Sequence, residues 1–362
     1  MKILIIAPIP PPLNGQSLAS HVIYSSLINS HDVSLVNISK SKRESNIIDY
    51  FTRVIKILSL FRRIHILQKN ANRIYLTLSE STLGNLKDLF IYLLCYRKLN
   101  LMTIHLFGGA GMKSILEKDN FISLVNKKFI SKLRFVVVEG KTQSKIFSSF
   151  LPAERVRVVN NFAEDYLFAS VDEVKLKFYK IETINILFLS NLIYGKGFEE
   201  LADAYLALDK NIQMKISLTF VGGFRTYKDK RIFLSKIKSC KTITYLGEFI
   251  DGAAKRRLYL NSHVFCLPSY YPYEGQPISI LESYATGCFV ITTNHSGIAD
   301  IFSNKINGKL VDSKSSDSII NALEYIHFNK NILEDVAFSN LSYAKAEFSK
   351  NEFIRKVKNI IE

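Results

Sequence analysis

Short runs of apolar, often β-branched residues alternate along this chain with longer stretches in which apolar positions recur at helical spacing. Several short runs are apolar throughout, which is typical of parallel strands buried on both faces of a sheet. The pattern predicts two series of six strands. The first comprises Lys2–Ala7, Val33–Ile38, Arg73–Leu78, Leu101–His105, Arg134–Val138 and Arg155–Val159; the second comprises Ile184–Leu189, Lys215–Val221, Thr242–Leu246, His263–Leu267, Cys288–Thr292 and Lys309–Val311.

Strands that alternate with helices predict right-handed βαβ units in doubly wound parallel sheets. Because the six-strand series occurs twice, we expect an α/β protein with two Rossmann-like domains that face a cleft. The predicted domains cover residues 1–163 and 183–343, joined by a charged, strand-free linker over 164–182. A last helix, about 344–362, can pack on either domain. Ligands of such folds bind at the carboxyl ends of the strands, so the cleft is the expected site.

Composition places the chain among globular proteins. Of its 362 residues 48% are hydrophobic and 22% are charged, which argues against disorder. The cysteines are far apart and form no CxxC pair, so the spacing argues against a disulfide scaffold or a zinc ribbon and fits a reducing cytoplasm. The first apolar run is too short for a signal peptide, and the longest charge-free one, Leu89–Tyr96, is too short to span a bilayer.

Positive charge is concentrated in the first half. The net charge is +16, of which residues 1–160 carry +14 and residues 161–362 carry +2. A basic half attracts nucleic acid, anionic lipid or a polyanionic substrate. The stretch Ile47–Leu67 predicts a helix that either packs on a sheet with one solvated stripe or lies on an anionic membrane surface. Together with a second basic cluster it gives the candidate membrane-facing cations Arg53, Lys56, Arg62, Arg63, Lys127, Lys128 and Lys132.

The stretch Tyr273–Val290, YEGQPISILESYATGCFV, carries the most chemical information. Pro277 is placed for the start of a helix and Gly287 for its C′ position, so Glu274 precedes the helix and Glu282 lies within it. The amides of Gly275, Gln276 and Ile278 then stand at the positive end of the helix dipole, which suits a phosphate or a polyhydroxyl ligand. The alternative is that Glu274 caps the helix and Glu282 is a surface charge.

Other candidates follow predicted strands. Lys196, in YGKGF, can neutralise a phosphate, or it is an ordinary exposed lysine. Gly222 either allows a ligand to approach the backbone closely or simply forms a turn. Gly15 opens the first predicted helix, and His105 ends a strand before a glycine-rich loop, where it is either a reactive or a structural histidine. G-x-G-x-x-G, paired DxD aspartates and nucleic-acid-binding motifs are absent, so we expect no dinucleotide cofactor, no metal and no nucleic acid.

In this order and spacing, the motifs resemble the retaining nucleotide-sugar glycosyltransferases of the group 1 family (family 4), which have the GT-B fold. The resemblance covers essentially the whole chain. It rests on the E-x7-E element from Glu274 to Glu282, the Lys196-Gly197 pair, the loop at Gly15, HLFGG at His105, and SGIAD at Ser296–Asp300.

The resemblance implies a role for each of these positions. Glu282 would bind the nucleotide ribose, and Lys196 would bind the diphosphate. Glu274, Pro277 and the backbone amides of Gly275, Gln276 and Ile278 would hold the donor sugar. The Gly15 amide would approach the phosphate, and His105 would lie beside the reacting centre. The N-terminal domain would take the acceptor, and the last helix would cross back to it. One departure is Asn191, where the family often has an arginine; Arg225 is the candidate replacement for binding the diphosphate.

The resemblance further implies transfer of a sugar from a nucleoside diphosphate sugar to a hydroxyl, with retention at the anomeric carbon and without a metal. The basic first half suggests a lipid-linked saccharide acceptor, as in O-antigen or capsule assembly, and a peripheral location on the cytoplasmic face of the membrane. A sugar-nucleotide 2-epimerase, an inverting transferase of the same fold and a nucleic-acid-binding protein are the alternatives.

Overall fold

The computed structural model describes residues 1–11, 14–39, 47–248 and 250–362, with side chains omitted over 47–54. Two compact units make up the described chain. The first comprises Met1–Asn160 together with Phe353–Glu362, and the second comprises Asn161–Glu352. The units are described one at a time.

A six-stranded parallel sheet organises the first unit. Its strands are β1 (Lys2–Ala7), β2 (Asp32–Asn37), β3 (Arg73–Thr77), β4 (Met102–Leu106), β5 (Phe135–Val138) and β6 (Val156–Val158), in the spatial order β2-β1-β3-β4-β5-β6. The helices are α1 (Gly15–Leu27), α2 (Ile47–Leu67), α3 (Thr82–Leu94), α4 (Ala110–Leu116), α5 (Phe121–Ile130) and α6 (Lys141–Ser144).

A second six-stranded parallel sheet organises the second unit. Its strands are β7 (Ile184–Leu189), β8 (Ile216–Val221), β9 (Ile243–Tyr245), β10 (Val264–Leu267), β11 (Phe289–Thr293) and β12 (Gly308–Val311), in the order β12-β11-β10-β7-β8-β9. The helices are α7 (Val171–Phe178), α8 (Phe198–Ala207), α9 (Lys210–Gln213), α10 (Tyr227–Ile237), α11 (Gly252–Leu260), α12 (Ile278–Ala285), α13 (Ser316–Phe328) and α14 (Ile332–Glu347). The last helix, α15 (Lys350–Ile361), begins in the second unit and belongs to the first unit from Phe353 onward.

The strand orders locate a switch point in each sheet. In the second unit, β7 and β10 are neighbours, and the chain winds outward from them in opposite directions. In the first unit the corresponding pair is β1 and β3. The loops that follow such a pair diverge and leave a crevice at the carboxyl edge of the sheet, where ligands of doubly wound folds bind.

Residues 164–182, predicted as a linker, belong to the second unit and include α7. Ser170 caps this helix by accepting a hydrogen bond from the Glu173 amide, while the Glu173 carboxylate accepts one from the Ser170 amide. Val174 and Phe178 are buried in the core of the unit. The charged composition of this stretch therefore reflects the solvated face of a packed helix.

The predicted last helix is two helices, α14 and α15. Residues from Phe353 onward group with the first unit. There the Arg73 guanidinium donates to the carbonyl oxygen of Glu362 at 3.0 Å, and that of Arg134 donates to the carbonyl oxygen of Ile361 at 2.9 Å. Among the described residues, no helix combines the length and the hydropathy needed to cross a bilayer.

Candidate functional site

An ion pair stands at the switch point of the second unit. The loop after β7 carries Lys196 and the loop after β10 carries Glu274, and the lysine Nζ lies 2.8 Å from both carboxylate oxygens. The side chains are only 13% and 6% exposed. An ammonium has three N–H bonds, and Glu274 accepts two of them, so one remains for a ligand.

Glycines bring the two loops together. Gly197 has φ +78°, and a Cβ there would overlap the carbonyl group of Pro268. At Gly195, with φ +92°, a Cβ would lie 3.0 Å from the Tyr271 Cα atom. The ring of Tyr271 in turn lies 5.1 Å from the Lys196 ammonium. Both positions therefore need glycine if Lys196 is to reach Glu274.

Hydrogen bonds fix Glu274 from the side opposite Lys196. The Ser269 hydroxyl donates to its Oε2 atom, and the Ser296 hydroxyl donates to its backbone carbonyl at 2.6 Å. A Cβ on Gly297 would lie 2.5 Å from the carbonyl oxygen of Gly275. The SGIAD segment is thus a support for the Glu274 loop, a role that the sequence did not reveal. Ser269 was missed as well; its position directly after a predicted strand end was the available signal.

Helix α12 begins immediately after this loop. Pro277 is its N-cap residue and provides no side-chain cap, so the amides of Ile278 and Ser279 have no acceptor within the helix. Gln276 is buried, and its side-chain oxygen accepts a hydrogen bond from the Asn161 amide at 2.9 Å. Gly287, with φ +64°, follows the helix end at the predicted C′ position. The helix therefore directs its positive end toward the region of Glu274.

Glu282 lies in the second turn of α12 and forms a second lysine–glutamate pair. Its Oε1 atom accepts a hydrogen bond from Lys255, and its Oε2 atom accepts one from the Tyr259 hydroxyl at 3.0 Å. Burial raises the pKa of Glu282, while Lys255 and the Tyr259 hydrogen bond lower it. Each oxygen keeps one lone pair, which matches the two hydroxyls of a vicinal diol. Sequence reasoning did not identify Lys255, because it is one of three consecutive cations in α11 and nothing local distinguishes it.

The two candidate diphosphate residues lie on adjoining loops. Asn191 and Arg225 are exposed, and a bridge between Leu192 and Phe224 holds their loops side by side. Gly222, with φ +147°, donates its amide to the Gly247 carbonyl at 2.9 Å. Only glycine fits at position 222, because a Cβ there would overlap the Ser190 carbonyl. Contacts of these three residues with a donor stay predictions.

His105 ends β4 in the first unit and is fully buried. Its Nδ1 atom lies 2.6 Å from the Tyr75 hydroxyl, and its ring stacks on Phe107 with the centroids 4.0 Å apart. The Nε2 atom is buried without a hydrogen-bond partner in the described chain. Burial lowers the pKa of His105 to about 3, so the ring is neutral near pH 7.

This depressed pKa predicts acid sensitivity. Unfolded histidine takes up a proton near pH 6.5, so His105 contributes stability that is complete above that pH and is lost as pH falls toward 3. Each unit of pKa shift corresponds to about 1.4 kcal/mol. We expect the unfolding free energy of His105→Phe, measured by denaturant titration, to fall less steeply than that of the native protein as pH is lowered from 6.5 toward 3. Tyr75→Phe, which retains the histidine, is the control; an unchanged slope in His105→Phe would contradict the assignment.

Two further loops follow strands β1 and β4 of the same sheet. Gly15 is the first residue of α1, whose N-cap Asn14 accepts a hydrogen bond from the Ser17 amide at 2.9 Å. Gly15 and Gln16 are the two helix residues before Ser17, so the Asn14 side chain does not accept a hydrogen bond from their amides. Glu80 accepts from the Gly111 amide at 2.7 Å and holds the glycine-rich loop after β4. Sequence reasoning did not identify Glu80 or Tyr75.

The candidate membrane-facing cations also belong to the first unit. Lys56, Arg62 and Arg63 are exposed on α2, whereas the side chain of Arg53 lies outside the described residues. On and after α5, Lys128 and Lys132 are exposed and Lys127 is half-buried. Lys132 donates to the Tyr96 hydroxyl at 2.7 Å. Arg63 donates to the carbonyl oxygen of Leu35 at 3.4 Å. Contacts of these cations with an anionic surface stay predictions.

The family comparison covers the part of the chain that carries both ion pairs. Residues 175–337 match the family model described as "Glycosyl transferases group 1". The matched residues make up slightly less than half of the chain. An uncharacterised glycosyltransferase of Methanocaldococcus jannaschii is 27% identical over 193 residues, which are 51% of this chain and 48% of that protein. The chain thus matches about half the length of this relative. An Escherichia coli enzyme named UDP-Gal:alpha-D-GlcNAc-diphosphoundecaprenol alpha-1,3-galactosyltransferase is 42% identical over 62 residues, 17% of this chain and 16% of that protein.

Solved structures extend the fold comparison to the whole chain. Anabaena HepE in complex with UDP superposes with a TM-score of 0.73, at 15% identity and with 99% of both chains covered. WaaG, a glycosyltransferase involved in lipopolysaccharide biosynthesis, superposes with a TM-score of 0.67 at 12% identity, covering 100% of this chain and 99% of that one. The predicted GT-B fold is therefore confirmed.

Proposed function

We propose that the chain is a retaining glycosyltransferase that moves a sugar from a nucleoside diphosphate sugar to an acceptor hydroxyl. The observation that carries this proposal is the Lys196–Glu274 pair at the switch point of the second unit. A buried cation with one uncommitted N–H bond, beside a helix N-terminus, suits a diphosphate. Glu274 keeps lone pairs for sugar hydroxyls, and Glu282 keeps two for a ribose diol.

Departure of the diphosphate would place negative charge on a phosphate oxygen and oxocarbenium character on the sugar. Lys196 and the α12 amides would stabilise that oxygen from fixed positions, which is the largest electrostatic contribution of such sites. His105, neutral and with Nε2 free, would hydrogen-bond a reacting hydroxyl. These roles need no metal, so activity is expected to survive a chelator.

The proposed classes of donor and acceptor are based on proteins similar to this chain. Structures of HepE are titled as complexes with UDP and with UDP-glucose, which supports a UDP-sugar donor. The name of the E. coli relative specifies an acceptor linked to diphosphoundecaprenol, and WaaG acts in lipopolysaccharide biosynthesis. With the basic first half, these names support a lipid-linked saccharide acceptor at the inner face of the cell membrane, in surface polysaccharide assembly.

A panel of nucleotide sugars tests the donor site. A ligand at a hundred times its Kd stabilises the native state by about 2.7 kcal/mol, so a rise in melting temperature with one UDP-sugar is expected. Glu282→Gln should abolish that rise. The anomeric configuration of the product, measured by NMR with a polyprenyl-diphosphate sugar as acceptor, then tests retention. Isomerised sugar from the donor alone would instead indicate an epimerase, and salt-sensitive RNA or DNA binding without any nucleotide-sugar effect would contradict the proposal.

A further inference from the structure

Helix α3 exposes a continuous apolar row. Leu83, Leu86, Phe90 and Leu93 recur at helical spacing and are 82%, 46%, 43% and 58% exposed. Single apolar side chains on a surface need no explanation, but a contiguous row of large ones marks an interaction site. The opposite side of α3 is packed, with Asn85, Asp88, Ile91 and Tyr92 buried. The exposed side of α3 is therefore apolar, whereas its packed side mixes polar and apolar residues.

Two neighbouring helices extend this row. Phe61 of α2 packs on Phe90, with the ring centroids 4.4 Å apart, and Asn126 of α5 exchanges hydrogen bonds of 2.9 Å with Asn85. Helix α5 exposes Phe121 and Leu124, and α2 exposes further aliphatic side chains: Ile55, Ile57, Leu58 and Ile66. We define the apolar face as Leu83, Leu86, Phe90, Leu93, Phe121 and Leu124.

The charge on these three helices is mainly positive, although the exposed acids Glu117 and Asp119 precede α5. Over the described side chains of α2, α3 and α5, the only acidic residue is Asp88, which is buried and paired with Lys87. Apart from Lys87, the exposed or half-buried lysines and arginines are those already assigned to α2 and α5: Lys56, Arg62, Arg63, Lys127 and Lys128. An apolar face rimmed by cations is complementary to a layer of acyl chains beneath anionic headgroups.

We propose that the apolar face inserts into the acyl boundary of an anionic lipid bilayer while the flanking cations contact the headgroups. A second copy of the chain fits less well, because a symmetric contact through this face would bring the two sets of helix cations together. The inference deepens the membrane location in the proposed function. It is nevertheless independent of the donor site, because insertion is measured without donor or acceptor.

The absence of tryptophan from this chain gives a clean reporter. We introduce one tryptophan on the apolar face, as Leu86→Trp or Leu124→Trp, and a matched one on α13 of the second unit as Phe328→Trp, where the native side chain is 73% exposed. With vesicles containing phosphatidylglycerol, tryptophan emission should shift to the blue for the first two variants and be quenched by brominated acyl chains. Phe328→Trp should show neither effect.

A second pair of variants separates insertion from adsorption. Leu86→Gln/Leu93→Gln removes two apolar contacts without changing the charge and should weaken vesicle partitioning at least about tenfold. Lys127→Gln/Lys128→Gln should weaken it mainly at low salt. Vesicle binding that leaves both reporters unquenched would overturn insertion, as would no binding at all. Blue shifts that depend on protein concentration and not on lipid would assign the face to a second copy. Failure of the nucleotide-sugar panel with intact insertion would count against the donor proposal alone.

Discussion

Lys196→Met should lower kcat for sugar transfer by about 10²–10³-fold, which corresponds to about 2.7–4 kcal/mol of barrier. The reason is that the ammonium offers its uncommitted N–H bond where the departing diphosphate gathers charge, and methionine has no donor to replace it. Initial rates at saturating UDP-sugar measure the effect directly. A loss confined to KM would mean that the lysine binds donor and transition state equally.

A double variant distinguishes a catalytic role of Lys196 from a purely structural one. Lys196→Met leaves the buried Glu274 carboxylate with only Ser269, so the single variant should also lose stability. In Lys196→Met/Glu274→Gln the unpaired charge is gone, and we expect stability to return while activity stays low. If the double variant regained activity as well, the pair would be structural, and the proposed site would have to be abandoned.

Lys255→Met should cost about 3–5 kcal/mol of unfolding free energy at about pH 8, because it leaves the Glu282 carboxylate buried without a cation. Burial already raises the pKa of Glu282 above its ordinary value of 4.5, and removal of Lys255 raises it further. A group with a raised native pKa loses its contribution as pH rises. The loss of unfolding free energy in Lys255→Met should therefore be small near pH 4.5. It should grow with pH until the pH exceeds the pKa of Glu282 in the folded variant.

The other groups that face Glu282 are Tyr259, Asp251 and Tyr166, and none is altered by this variant. Lys236→Met is the matched control, since Lys236 pairs with Asp203 at 2.8 Å on the surface and such pairs contribute about 0–1 kcal/mol. Denaturant unfolding across this pH range measures both. Equal deficits in the two variants, or a deficit that shrinks as pH rises, would show that Lys255 does not hold Glu282 ionised.

The positions of the strands and helices along the chain were predictable, because buried strands and packed helices have different patterns of apolar residues in the sequence. All twelve predicted strands occur within about two residues of their expected bounds. The α12 segment was predicted for the same reason: Pro277 and Gly287 restrict backbone angles locally, so they mark the helix ends without knowledge of the fold. Where the local pattern was ambiguous, in the charged stretch 164–182, the linker prediction failed and a packed helix is present.

The sequence by itself determined the two six-strand series and the carboxyl-end positions of Lys196, Glu274 and His105, since these depend on local patterning. The tertiary structure alone decided what those side chains contact. Lys196 meets Glu274 across 78 residues because β7 and β10 are neighbours, an order that hydrophobic periodicity does not encode. The tertiary structure likewise placed Lys255 on Glu282 and Tyr75 on His105. It also left the apolar row of α3 exposed, because packing decides which side of a helix is covered.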